Sequence, residues 1–404
     1  MKQTEVLVIG AGPSGSIAAA QLIKEGIQVT VIEKTKFPRF VIGESLLPRC
    51  MDILESVDLI ESIKNKGFQE KFGAKFIMGD DSCDFNFSEQ YTKGWDWTWQ
   101  VPRADFDKAL IDEVEGRGAE VLYESTVENV EFLEDEVITT FSHEGKSEQI
   151  SSKYVIDGSG YGRVLPRLLD LEEASDMPAR SAFFTHIKDE NRGDGADQNR
   201  IQVLVIEPET WFWMIPFSNG VTSVGFVGDL PEVDVENPRE FFQNMFEEHE
   251  YLKDRFGKCD FVFDPKLITA YSISVSRFYG DRYVLTGNST EFLDPVFSSG
   301  VTFALESALK AAELVAKELR GEEANWETDY VNYIQTGVDV FRSYVNNWYD
   351  GTLHSIFFAK DIKQTIKEQI CSVLAGYVWD KSNPYVKRHG SAPKTLAKVI
   401  NYNF

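Results

Sequence analysis

Four groups of residues have types and spacings suited to chemistry. Gly10, Gly12 and Gly15 form G-x-G-x-x-G after an apolar run, with Pro13 and Ser14 between them, and Glu33 closes the next apolar run. Glycines so spaced permit a tight turn and close approach of a pyrophosphate to a helix N-terminus, while an acid at that distance accepts a ribose hydroxyl. The stretch "FLDPVFSSG", Phe292 to Gly300, puts Pro295, Ser298, Ser299 and Gly300 at the mouth of a helix, where backbone N–H groups attract a small anion. The two serines serve equally well as caps of the helix that starts near Val301. In "WFWMIP", Trp211 to Pro216, a strand would turn Trp211, Trp213 and Ile215 to one face, so that two indoles stand side by side. An aromatic sheet core is the plain alternative. Lys71 alternates with Phe72, Ala74 and Phe76 as on a strand with one apolar face. It is either an ordinary edge lysine or, if desolvated, one with a lowered pKa.

These groups need elements to position them. "TEVLVIGAGPSGSIAAAQLIKEGIQVTVIEK" reads as strand, glycine turn, helix and strand, one βαβ unit. "VPRADFDKALIDEVEGRGAEVLYES" reads as a helix closed by Gly116 and Gly118 and then a strand. "KYVIDGSG" and "YVLTGNSTEFLDP" are further buried strands running into glycine turns. Between about 180 and 280 the pattern alternates, with a turn at Asn219-Gly220, as in an antiparallel sheet. The expected fold is α/β plus β. It comprises a Rossmann-like nucleotide-binding domain with a parallel sheet over 1–175 and 270–320, an antiparallel-sheet substrate domain over 176–269, and a helical C-terminal cover over 321–404.

The composition removes several function classes. The 404 residues carry 41 Lys plus Arg against 65 Asp plus Glu, a net charge of -24 that repels nucleic acid and anionic membranes. Cys50, Cys83, Cys259 and Cys371 have no CxxC spacing, and none of the five histidines pairs with a ligand partner, so no metal site and no disulfide framework are expected. The N-terminus has no secretion signal and no apolar run reaches about 20 residues, so no membrane insertion and a cytoplasmic setting are expected.

The glycine turns together resemble the FAD-binding signatures of group A flavoprotein monooxygenases. The resemblance implies FAD, held by Gly10, Gly12, Pro13, Ser14, Gly15, Glu33, Lys34 and Gly158, with Arg103 of "QVPRADFDKAL" near the pyrophosphate and ribityl chain. An exposed helix-start arginine is the alternative for Arg103. Where such families carry Gly-Asp this chain has Gly287-Asn288, whose amide still bonds a hydroxyl. "FPRFVIGESLLP" resembles the segment over the flavin and brings Gly43, Glu44 and Ser45 near the isoalloxazine.

W-x-W-x-I-P and F-x-x-P-x-x-S-x-G are similar to the signatures of flavin-dependent halogenases, in the phenol or pyrrole branch, which share their fold with geranylgeranyl reductases. The resemblance implies that Trp211, Trp213, Ile215 and Pro216 separate flavin from substrate, and that Ser298, Ser299 and Gly300 bind halide, with Pro295 and Gly300 also beside the cofactor. Its Lys-x-Gly-Ala pattern selects Lys71 as the lysine that takes up hypohalous acid, with Lys75 as the fallback. It further implies FADH2 from a separate flavin reductase, oxygen, halide and an electron-rich aromatic substrate, free or carrier-tethered. A chain of 404 residues is shorter than tryptophan halogenases usually are, which argues against free tryptophan. Asn288 and Glu291, a carboxylate near the anion turn, leave open an FAD-dependent hydroxylase or a geranylgeranyl-reductase-like enzyme that uses no halide, and a flavin-binding module without turnover. Trp95, Trp97 and Trp99 form a second cluster, expected on one face of a strand and either lining the pocket or packing the core.

Overall fold

Four short runs with every residue buried form the centre of a mostly parallel sheet, as expected for strands covered on both faces. In the computed structural model these runs lie in a six-stranded sheet ordered Tyr279–Gly280, Tyr283–Leu285, Tyr154–Asp157, Val6–Ile9, Val29–Ile32, Glu120–Leu122. Only the outermost pair, Tyr279–Gly280 with Tyr283–Leu285, is antiparallel. The structure describes every residue except 193–194, 196–198, 231–232, 235, 270 and 403–404, so the outer limits of two of the expected segments lie outside the described residues. The helices Pro13–Lys24 and Ser299–Leu319 pack on each other. Each begins at a glycine-bearing turn, which brings both turns to the sheet's carboxyl edge.

The second sheet has seven strands, ordered Lys266–Thr269, Ser181–Lys188, Val221–Gly228, Thr210–Pro216, Arg200–Glu207, Gly73–Met78, Asp81–Asn86. Its last two strands come from the N-terminal part of the chain, outside 176–269. The pairing of Arg200–Glu207 with Gly73–Met78 is parallel and the other pairings are antiparallel. Along Thr210–Pro216 the alternation of faces divides two cores. Trp211, Trp213 and Ile215 join the large core shared with the parallel sheet. Phe212 and Met214 join a separate one with Phe226, Phe242, Phe246 and Phe256, closed by the helices Pro238–Glu247 and Glu250–Phe256.

The C-terminal region is helical as expected, with helices Asn332–Tyr349, Thr352–Phe357, Gln364–Leu374 and Ala392–Tyr402. Among the described residues no helix is long and apolar enough to cross a membrane.

One expected strand is divided. Gln69–Lys71 pairs antiparallel with Thr98–Gln100, and after Phe72 the chain enters the larger sheet as Gly73–Met78. This break in the alternation turns Lys71 inward, so the edge-lysine reading is corrected: Lys71 is 1% exposed. Of the three tryptophans expected on one strand, only Trp99 lies in a strand, and the indoles meet edge to face, with centroids 5.6 and 5.1 Å apart. None of them lines the cavity described below.

Candidate active site

A cavity of about 400 Å³ is bounded by the strand ends Ile9 and Ile32, the glycine turns, and Trp211, Trp213 and Ile215 of the second sheet. Of the residues expected at the site, Gly10, Gly12, Pro13, Ser14, Glu33, Lys34, Ser45, Arg103, Gly158, Asn288, Pro295, Ser298 and Gly300 also line it. Lys71, Gly15, Pro216, Gly287 and Ser299 do not. Lys75 is opposite Asp84 on the second sheet and is likewise away from the cavity.

The first turn fits a dinucleotide. Gly10 has φ +94°, and a Cβ there would meet the Gly158 carbonyl oxygen at 2.7 Å; a Cβ on Gly15 would fall 1.8 Å from the Gly10 carbonyl oxygen. Gly15 thus sets the helix against the turn from behind instead of facing the ligand. The helix starts at Pro13 with no side-chain cap, leaving its first N–H groups to a bound anion. Glu33 is pinned at the rim: Oε2 accepts the Ala11 N–H at 2.9 Å and Oε1 accepts the Thr35 N–H and hydroxyl at 2.9 and 2.6 Å.

Sequence reasoning passed over the carboxylate that ties these turns together. Asp157 accepts the Ser159 N–H at 2.8 Å and the Ser289 hydroxyl at 3.1 Å on one oxygen, and the Leu165 N–H at 2.7 Å on the other. Burial pushes its pKa up, opposed by these hydrogen bonds. Ser14 and Thr286 close the set with a hydroxyl contact of 2.7 Å. Gly287 donates its N–H to Ser307 at 2.8 Å, behind the wall that its neighbour Asn288 lines.

Arg103 lines the cavity but is buried, which corrects the exposed helix-start reading. Its Nε and Nη2 bind both oxygens of Asp107 at 2.7 and 3.0 Å, and Nη1 holds the carbonyls of Ile42 and Gly43 at 3.0 and 3.3 Å. Arg39 shares Asp107 at 2.8 Å, also lines the cavity, and was not singled out from the sequence.

Trp211 and Trp213 stand with centroids 6.1 Å apart, walling the cavity toward the second sheet. Trp211 Nε1 donates to the Tyr349 hydroxyl at 3.0 Å, and Tyr349 and Tyr271 donate to Asp294 Oδ2 at 3.0 and 3.2 Å. Trp213 Nε1 donates to Ser223 at 3.1 Å. A Cβ on Gly225, directly across the ladder, would fall 2.4 Å from the Trp213 ring, so this glycine makes the indole's space. The linkage between Tyr349 in the C-terminal helix and Trp211 has no local sequence signal.

At the anion turn Ser298 has φ +57° and makes no side-chain cap, which corrects the capping reading. The first N–H groups of the helix behind it have no intrahelical acceptor. Glu291, the carboxylate that threatened to repel an anion, is ion-paired to Arg342.

Lys71 lies one hydrogen bond behind the cavity wall. It donates to the Ser45 hydroxyl at 2.9 Å and the Leu46 carbonyl at 2.8 Å, with Nζ 5.4 Å from the centre of the Phe87 ring. Among the described residues no carboxylate accepts from it. Burial lowers its pKa to about 7, with Cys50 opposing and Arg200 adding to the shift.

Residues 3–333 match the family model described as FAD binding domain. The chain is 31% identical over 379 residues to the flavin-dependent halogenase armH3 of Armillaria mellea, covering 84% of this chain and 74% of that protein. It is 29% identical over 372 residues to the 1H-pyrrole-2-carbonyl-(peptidyl-carrier protein) chlorinase of Pseudomonas fluorescens, covering 86% and 82%. A flavoprotein/dehydrogenase of known structure from Cytophaga hutchinsonii is 51% identical and superimposes with a TM-score of 0.97 over 100% of both chains. The chain belongs to the FAD-binding-domain family and, within it, to the flavin-dependent halogenases. It is an FAD-dependent oxidoreductase of the halogenase type, and halide as co-substrate fits that class.

Proposed function

We propose that this enzyme halogenates an electron-rich aromatic ring, with Lys71 carrying the activated halogen toward it. The observation that carries the reading is a buried amine with no carboxylate partner among the described residues, bonded through Ser45 to the wall of the cofactor cavity. An amine with its pKa near 7 is partly neutral at working pH, and the neutral form has the lone pair that accepts electrophilic halogen.

FAD bound in the cavity supplies the oxygen-activating chemistry. Gly10, Gly12, Pro13, Ser14, Glu33, Lys34, Arg103, Gly158 and Asn288 hold it, with Gly15 and Gly287 shaping the turns. Ser298, Ser299 and Gly300 present the helix N-terminus to halide, beside Pro295. Trp211, Trp213 and Ile215, with Pro216 ending their strand, keep the ring substrate away from the cofactor and exclude water. Residues 1–175 and 270–320 form the cofactor domain, except that strands Gly73–Met78 and Asp81–Asn86 join 176–269 in the substrate domain, and 321–404 form the cover. The pyrrole chlorinase relative is named for a carrier-bound pyrrole, which supports a small aromatic substrate, free or carrier-tethered, for this enzyme too. A separate flavin reductase supplies FADH2.

The test needs no substrate identity. Purified enzyme is mixed with FADH2, oxygen and bromide, and bromination of a hypohalite trap is followed against a flavin blank. Bromide-dependent product above the blank is expected. Hydrogen peroxide without brominated trap at any bromide level contradicts the reading.

A further inference from the structure

Glu44 has a carboxylate that the reading so far leaves without a task. It is 1% exposed and lines the cavity. Its Oε1 is 2.7 Å from His186 Nε2, while its Oε2 is buried with no hydrogen-bond partner among the described residues. Because a carboxylate only accepts, His186 carries its proton on Nε2. A buried carboxylate oxygen without a donor is costly, so this position calls for a donor from the cavity side.

The carboxylate cannot easily turn away to find one within the protein. The Glu44 carbonyl accepts the Val101 N–H at 2.8 Å, and Leu46 donates its N–H to the Trp99 carbonyl at 3.1 Å. His186 is 12% exposed and wedged among Phe40, Phe217 and Phe263, with ring centroids 5.5, 5.3 and 4.9 Å away. Arg103 acts on Glu44 through space, but its donors are engaged by Asp107 and two carbonyls.

We propose that Glu44 is a further flavin-contacting residue: its Oε2 accepts a hydrogen bond from a ring N–H of the isoalloxazine, and His186 is the positioning residue that holds the carboxylate in place. The inference rests on the FAD reading of the same cavity. The oxidised flavin ring has one N–H, at N3 between two carbonyls, which the reduced ring keeps, and only that N–H answers an acceptor in both forms. A fixed negative charge beside a ring that takes up electrons disfavours the reduced form. Glu44 therefore favours binding of oxidised FAD over reduced FAD. A substrate N–H or O–H has the same donor chemistry, so the test is run without substrate.

The cofactor-free protein is titrated anaerobically with oxidised and with dithionite-reduced FAD, for wild type, Glu44→Gln and His186→Gln, with thermal melts as folding controls. Wild type binds FAD. Glu44→Gln is expected to bind oxidised FAD about tenfold more weakly with reduced FAD unchanged, which raises the midpoint potential by about 30 mV for a two-electron couple. His186→Gln, which keeps the charge but loosens it, is expected to weaken both forms about equally and leave the potential near that of wild type. Should Glu44→Gln fail to fold, Glu44→Asp carries the test, since its charge is kept but drawn back by one methylene, and several-fold weaker oxidised FAD is expected. A folded Glu44→Gln that binds both forms within twofold of wild type, at an unchanged potential, overturns the inference while leaving the FAD reading intact. A wild type that binds no FAD overturns both.

Discussion

Two buried cations grip the same short segment and end in opposite electrostatic states. Arg103, 7% exposed, holds the carbonyls of Ile42 and Gly43, while Lys71, 1% exposed, holds the Ser45 hydroxyl and the Leu46 carbonyl. Burial lowers the pKa of both. At Arg103 the bidentate Asp107 more than offsets burial and the guanidinium is held above its usual range. Lys71 has only neutral acceptors, and burial takes it to about 7. The difference teaches that a paired buried cation is a fixed charge that shapes a wall, whereas an unpaired one becomes an amine whose charge depends on pH.

The largest expected effect comes from removing the unpaired member. Lys71→Ala should lower product formation about 10³–10⁴-fold at pH 7 while FAD affinity stays within a few-fold, checked by single-turnover halogenation and FAD titration. Removing the partner of the paired member acts on stability instead. Asp107→Asn leaves Arg103 and Arg39 without their shared carboxylate and should cost about 3–4 kcal/mol in denaturant melts.

Lys71 also burdens the fold, with a definite sign. Above about pH 10.5 it is neutral in both folded and unfolded chains and there is no penalty. As pH falls from about 10.5 to about 7 the unfolded chain takes up the proton first, so stability drops through that window and levels off below it. Lys71→Met should remove this pH dependence in melts across the window.

The contrast can also be blurred. Cys50 is close enough to act on Lys71 electrostatically, so Cys50→Asp gives the amine a carboxylate and should move the pH profile of halogenation upward by about 1–2 pH units. The smallest effect is expected away from both cations. Gly225→Ala crowds Trp213 and should cost about 1–3 kcal/mol, with more peroxide released per halogenated product.

Much of the cofactor side was legible in the sequence, because its chemistry is local. Gly10, Gly15 and Glu33 act through backbone conformation and neighbours a few residues away, and the alternation in "WFWMIP" divided its faces as two-residue periodicity requires. What escaped was long-range pairing. For Arg103 the sequence leaves an exposed helix start open beside the cofactor-side reading, because Asp107 is one turn on and the carbonyls it holds are about 60 residues away. For Lys71 the sequence leaves an edge residue open beside the desolvated one, because the break at Phe72, which sends the chain from one sheet to another, leaves no mark in the alternation. The Tyr349 bond to Trp211 and the Glu44–His186 pair span more than 130 residues each, a separation that periodicity and motif spacing do not reach.

The central claim, that Lys71 is held as a titratable amine where Arg103 is a fixed charge, is tested most directly by an NMR pH titration of the lysine side chains, with the Lys71 signal assigned by its loss in Lys71→Arg. A Lys71 midpoint near pH 7 is the predicted result. A midpoint near 10.5, shared with the surface lysines, contradicts the account.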